Sequence, residues 1–271
     1  MSKRWLGFAL GTDGSGKDGD PFVAPVAFLE VLDGYMRSVR LLTPRYDGRC
    51  MATAYLCGGG YSEGELKVCL RYGMLAHFMS WVQDRDANGQ GKAASVWLDG
   101  QTYTGVKVAS VRFNVDRALE DEPIEVTLCL RGKHGEPERR EWPVPVALNP
   151  PILARECEVK RSLDGKALSA FAFEAIDLMV DNCMSENPVS TRMEGISGSG
   201  HIWHTYPHRP VCGEEALVAH FCPHPDASTV GPCILFPRIV VNTVETEGNL
   251  RVDGFQAFAS TDGLTPAVVL T

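Results

Sequence analysis

Five of the seven histidines fall between His201 and His224, interleaved with Cys212 and Cys222. Imidazoles mixed with thiols are the side chains from which zinc sites are built. The spacing argues against one here. In HIWHTYPH, His201 and His204 fall on opposite faces of a strand, and no Cys-x-x-Cys pair is present. Surface and interface histidines are the expected reading, and a metal-binding β-sandwich module using His201 to Cys233 is the alternative from a different class. A second candidate lies near the N-terminus, where Gly11, Gly16 and Lys17 fit the GxxxxGK part of a phosphate-binding loop behind the apolar stretch Trp5 to Leu10. Asp18 stands where a Ser or Thr should ligate Mg²⁺, and DGDPFVAP cannot open the helix whose N-terminus would hold the phosphates. Gly58 to Gly60 sit between two strands and read as a turn. Glu120, Asp121 and Glu122 cluster at a hairpin tip, where solvation explains them and paired catalysis would need a cleft. No cysteine sits in a nucleophile signature. No catalytic, cofactor-binding or metal residue is assigned, no cofactor is implied, and the chain is expected not to be an enzyme.

The elements that would carry any site are strands. In GVKVASVRFNVDRALEDEPIEVTLCLRG, from Gly105 to Gly132, the second strand alternates Ile124, Val126, Leu128 and Leu130 with Glu125, Thr127, Cys129 and Arg131, the period of a strand with one buried face. In the first strand Val106 and Val108 share one phase and Val111, Phe113 and Val115 the other, so a bulge is expected near Ala109 and Ser110. A similar hairpin returns from Cys233 to Thr261. Another long strand with a phase switch runs through Phe171, Phe173 and Ala175 and then Ile176, Leu178 and Val180. The single predicted helix is Met74 to Val82, with Leu75, Phe78, Met79 and Val82 on one stripe and His77 and Trp81 off it. The expected organisation is an N-terminal arm over 1–25, a first β unit over 26–132, a proline-extended linker over 133–154 and a second β unit over 155–271. The two units look like copies of one another.

Length and composition set the bounds. A chain of 271 residues, 44% hydrophobic, can bury a sizeable core without staples. The nine cysteines are scattered and several sit inside apolar strands, which suits reduced thiols better than a disulfide framework. No run reaches the length of a membrane helix, and the N-terminal apolar stretch is too short for a signal peptide, so synthesis as a soluble cytoplasmic protein is expected. A net charge of −8 opposes stable binding along a nucleic-acid backbone.

Taken in order, YSEGELKVCLRYGMLAHFM, TYTGVKVASVRFNVD with EVTLCLRG, FAFEAIDLMVDN with GISGSG, and CILFPRIVVN with GFQAFASTDGLTPAVVLT give a chain that resembles the tail tube proteins, or major tail proteins, of long-tailed bacteriophages. The resemblance implies a mainly β fold of two tandem β-sandwich or barrel units, the first flanked by a helix. It implies a structural virion protein that polymerises into stacked rings, the conduit for DNA ejection, with a contractile-tail or secretion-system inner tube as the near alternative. It also implies self-association, with trimeric pseudo-sixfold rings expected from the duplication, tape measure and tail terminator partners, passage of DNA without sequence-specific binding, and no membrane. Glu125, Thr127, Arg131, Arg251 and Asp253 are the lumen candidates. The N-terminal arm and the loop from Asp84 to Lys92 are the candidates for contacts between rings.

Overall fold

The computed structural model describes residues 4–10, 26–45, 54–72, 80–83, 91–133, 149–162, 167–184, 192–193, 195–206, 215–221, 233–259 and 268–270. Fourteen strands, all paired antiparallel, form one continuous sheet. In chain order they are β1 (Arg4–Leu10), β2 (Val26–Arg45), β3 (Ala54–Cys69), β4 (Ala94–Leu98), β5 (Gln101–Asp116), β6 (Glu125–Lys133) and β7 (Cys157–Ser162). They continue with β8 (Ser169–Ala170), β9 (Ala175–Asp181), β10 (Ser197–His204), β11 (Glu215–Phe221), β12 (Cys233–Glu247), β13 (Leu250–Ala257) and β14 (Val269–Leu270).

The first six strands close on themselves. The order β4, β1, β2, β3, β6, β5 returns from β5 to β4, giving a six-stranded barrel with no open edge between its members. Alternation puts Val106, Val108, Leu128, Leu130, Leu66 and Val68 on the inner face. The phase of β5 switches at Ala109, where the register to β6 slips between Val108 and Ser110. That is the bulge the apolar pattern predicts. A two-residue turn joins β4 to β5, with Asp99 at φ 52° and Gly100 at φ 76°. Positive φ at both positions is the hairpin geometry that an Asp-Gly pair favours.

Three expectations change. Arg4–Leu10, placed in an N-terminal arm by its neighbours GTDGSGKDGDP, is a barrel strand. Leu6 and Phe8 are fully buried in it, and a strand with two such anchors gains several kcal/mol from burial, about 1.5–3 per side chain. Of the predicted helix, residues 80–82 are helical, the helix continues to 83, and the rest of the prediction lies outside the described residues. Trp81, expected off the apolar stripe, is fully buried and stacks on Phe8 with ring centroids 4.8 Å apart, while its indole N–H donates to Val106 O at 3.3 Å. The end of the predicted linker is also structural. Ile152 is buried and threads between two strand ends, donating to Leu70 O at 2.9 Å and accepting from Ile124 N at 2.8 Å.

The second half repeats the cycle pair by pair. β7 pairs with β8 and β11, β11 with β12, β12 with β13, β13 with β10 and β10 with β9, as β1, β2, β4, β5, β6 and β3 pair in the first half. The irregularities repeat too: β12 slips against β13 between Val241 and Thr243, and against β11 between Glu215 and Leu217. These match the slips of β5 against β6 and against β4. β8 and β9 together correspond to β2, broken over residues 171–174, just before the sequence phase switches between Ala175 and Ile176.

Gly64 and Gly200 hold the same place in the two halves. A Cβ on Gly64 would lie 2.2 Å from Tyr35 O, and one on Gly200 would lie 2.4 Å from Asp177 O. The strands cross too closely there for any side chain.

The halves are joined through β5 and β9, which pair from Ser110↔Asp181 to Asp116↔Ala175. Bonds at both ends extend the joint, Asn182 N to Ala109 O at 2.8 Å and Arg117 N to Glu174 O at 2.7 Å. Phe113 and Phe221 meet across the interior with centroids 5.4 Å apart, so one apolar core runs through both halves.

Candidate assembly surface and buried ionic layer

The joint places eight strands side by side in the order β2, β3, β6, β5, β9, β10, β13, β12. One face of this sheet looks into the two barrels. The other carries Arg37, Glu63, Glu65, Lys67, Glu125, Thr127, Arg131, Arg112, Asp177, Asp181, Glu245 and Glu247, which cross-strand register puts on a common side. Carboxylates outnumber cations on it, and three of the cations are held by carboxylates. Arg37 donates to Glu63 at 2.6 Å and Lys67 Nζ lies 2.9 Å from Glu125. Arg112 forms a fork onto Asp177, with its Nε donating to Oδ1 at 2.6 Å. That hydrogen bond, outweighing partial burial, raises the Arg112 guanidinium further above its ordinary value. The pair spans the joint between the halves.

Of the five lumen candidates, Glu125, Thr127 and Arg131 lie on this polar face. Arg251 and Asp253 do not. β13 reverses the expectation: Asp253 pairs with Ile202 and Val244 on the inner face and is 3% exposed, with Arg251 on the same side. The cause is a network that periodicity cannot reveal. Arg161 Nε donates to Glu215 Oε2 at 2.5 Å and Arg161 Nη1 to Asp253 Oδ2 at 2.9 Å, while Arg251 Nε donates to Asp253 Oδ1 at 2.6 Å. His204 Nε2 lies 3.2 Å from Asp253 Oδ2. His204 Nδ1 accepts from Tyr206 N at 3.2 Å, which places the proton of the neutral ring on Nε2, toward Asp253.

Burial alone would raise the Asp253 carboxyl. The approach of His204, Arg161 and Arg251 outweighs it and holds that carboxyl well below the ordinary carboxylate range. Phe171 closes the layer, with the Arg161 guanidinium 5.2 Å from its ring centroid and Tyr206 stacked on its other neighbourhood at 4.8 Å. The signal in the sequence was faint. Charges in phase with apolar residues on β7, β10, β11 and β13 would have found it only once the barrel was known.

The remaining sequence candidates separate. His201 is exposed and His204 buried, on opposite faces of β10 as the spacing requires. His208 and His224 lie outside the described residues, as do Cys212, Cys222, the Gly11–Lys17 stretch and most of the Asp84 to Lys92 loop. Among the described residues no group of His, Cys, Asp and Glu could hold a metal ion. The cysteines at 69, 129, 157, 183 and 233 are outside disulfides, three of them buried, and burial raises the Cys69 thiol. Glu120, Asp121 and Glu122 are exposed at the tip, and Asp121 pairs with Arg155. Among the described residues no helix is long and apolar enough to cross a membrane.

Two strand edges stand out. β1 covers one edge of β2 only over Val26–Val31, and among the described residues no strand pairs with that edge over Asp33–Arg45. β11 covers one edge of β12 only as far as Ile239, and none pairs with it from Val240 to Glu247. Exposed apolar side chains gather on these two strands: Leu32, Tyr35 and Leu42 on β2, Val240 and Val244 on β12. No protein-family model matches the chain, and no curated protein matches its sequence.

Proposed function

We propose that this chain is the building block of a tube, a structural protein of the tail tube type found in long-tailed bacteriophages, whose rings stack into a conduit for DNA. The observation that carries the reading is the continuous eight-stranded sheet with barrel cores on one side and a polar, net acidic face on the other. Among the described residues such a sheet ends in two edges with no strand paired to them, and closing it into a ring pairs them.

The duplication sets the expected number of copies at three, and strand spacing gives the least width of such a ring. At about 4.8 Å per strand, three copies set about 24 strands around a circle roughly 37 Å across with the strands upright, and any tilt widens it. Side chains take about 5 Å from each wall, half the usual distance between packed sheets, which leaves a bore of about 27 Å. Excess carboxylate on the wall repels phosphate, so DNA slides instead of sticking. In this reading the chain resides in the virion, is made in the host cytoplasm, and meets tape measure and terminator proteins at the two ends of the tube.

Negative-stain microscopy of the purified protein at rising concentration tests the reading, with native mass spectrometry for the count. Rings or tubes with a central hole, three chains to a ring, are the expected result. A ring of six chains overturns the count, and a protein dispersed at every concentration overturns the function.

A further inference from the structure

The joint between β5 and β9 is a template, because each of its partners has a counterpart elsewhere in the chain. Matching the slips in register equates β12 with β5, so that Thr243, Glu245 and Glu247 stand where Ser110, Arg112 and Asn114 stand. Matching the pairs of β10 with those of β3 equates β2 with β9, so that Tyr35, Arg37 and Val39 stand where Asp177, Met179 and Asp181 stand. Ser110, Arg112 and Asn114 pair with Asp181, Met179 and Asp177. The equivalent strands β12 and β2 each lack a strand on the corresponding edge among the described residues.

We infer that the occupant of the β12 edge is β2 of a second copy of this chain, added antiparallel in the register of the internal joint. This rests on the ring reading and fixes its contacts. Thr243 of one copy faces Val39 of the next, Glu245 faces Arg37, and Glu247 faces Tyr35. Two independent properties agree with that register. The first is charge: the transferred pairing sets a carboxylate directly opposite a guanidinium, although neither residue matches its counterpart in the internal joint. The second is burial. Val111, sealed by the internal joint, is fully buried, whereas its equivalent Val244 is 47% exposed. Tyr35 is 52% exposed, and its equivalent Asp177 is 5% exposed. Docking gives both edges the cover that the joint gives their counterparts. Because the mode is head to tail, each added copy presents a fresh edge, and the curvature of the joint repeats until the ring closes.

The test is a charge exchange followed by sedimentation across a concentration series. Glu245→Arg sets like charges opposite one another at every contact, and the concentration for half-assembly should rise about tenfold or more. Arg37→Glu combined with Glu245→Arg should return it to within about threefold of the original protein. Glu122→Arg, the same charge change at the exposed hairpin tip, should leave it in place, and circular dichroism checks that every variant folds. Rings that form equally well from Glu245→Arg overturn the register and leave the tube reading standing. Failure of the unaltered protein to associate at any concentration overturns both.

Discussion

Arg161 occupies in the second barrel the position that Phe8 occupies in the first: Phe8 pairs with Val96, Arg161 pairs with Leu217, and Val96 and Leu217 are themselves equivalent. Four more substitutions accompany this one. Glu215 stands for Ala94, His204 for Val68, Asp253 for Leu128 and Arg251 for Val126, so an apolar layer in one barrel is an ionic layer in the other. The same backbone cycle tolerates both because each charge has a counter-charge within reach.

Removing one partner should therefore cost far more than a surface change. Asp253→Asn leaves the buried Arg161 and the half-buried Arg251 without their shared carboxylate, and a loss of about 3–5 kcal/mol is expected from urea unfolding. Replacing the layer as a set, with Arg161→Phe, Glu215→Ala, His204→Val, Arg251→Val and Asp253→Leu, should leave stability unchanged or raise it.

Acid should act through the same group. The folded-state Asp253 carboxyl lies below its unfolded value, so its contribution is complete above that unfolded value, about pH 4, and is lost as pH falls toward the folded value. Unfolding free energy measured from pH 7 down to pH 2 should show a decline below about pH 4 that Asp253→Asn largely abolishes.

The two crossing glycines should respond alike. Gly64→Ala and Gly200→Ala each drive a methyl into a carbonyl oxygen, at Tyr35 and Asp177, and should each cost about 1–3 kcal/mol or more. Gly195→Ala meets nothing within 4 Å and should cost almost nothing.

At the joint, the packed interior should matter more than the visible salt bridge. Arg112 is 57% exposed in its side chain, so Arg112→Ala should change stability by no more than about 1 kcal/mol. Asn182 donates from its buried amide to Val82 O at 3.2 Å and Val108 O at 2.8 Å, and Asn182→Ala, which orphans both carbonyls, should cost about 1–3 kcal/mol. Thermal unfolding of the two variants side by side checks the ranking.

Alternation made the central hairpin legible, including the bulge at Ala109, because a register slip must move the apolar phase to the other face. The duplication was legible for the same reason: two β hairpins with phase switches at matching places. Periodicity assigns a face and not an environment, so Arg251 and Asp253, polar and in alternation, read as solvent-facing when the counter-charges that bury them lie on strands far away in sequence. β1 was obscured by the glycine-rich stretch after it, and Trp81 by the breadth of surface that closes over a short helix. The uncovered edges of β2 and β12 could not have been read at all, since which strand neighbours which is a property of the closed cycle.

One consequence follows from the ionic layer. In a chain whose halves share one strand map, every segment has a wrong berth as well as a right one. Were β1 to settle between β8 and β11, Phe8 would face Glu215 and Asp253, two anions stripped of their guanidinium. Were β7 to take the place of β1 in the first barrel, Arg161 would be a lone cation among Ala94, Val68 and Leu128. Charge thus works as a key cut into the interior, telling two otherwise interchangeable halves apart while the chain is still choosing its partners.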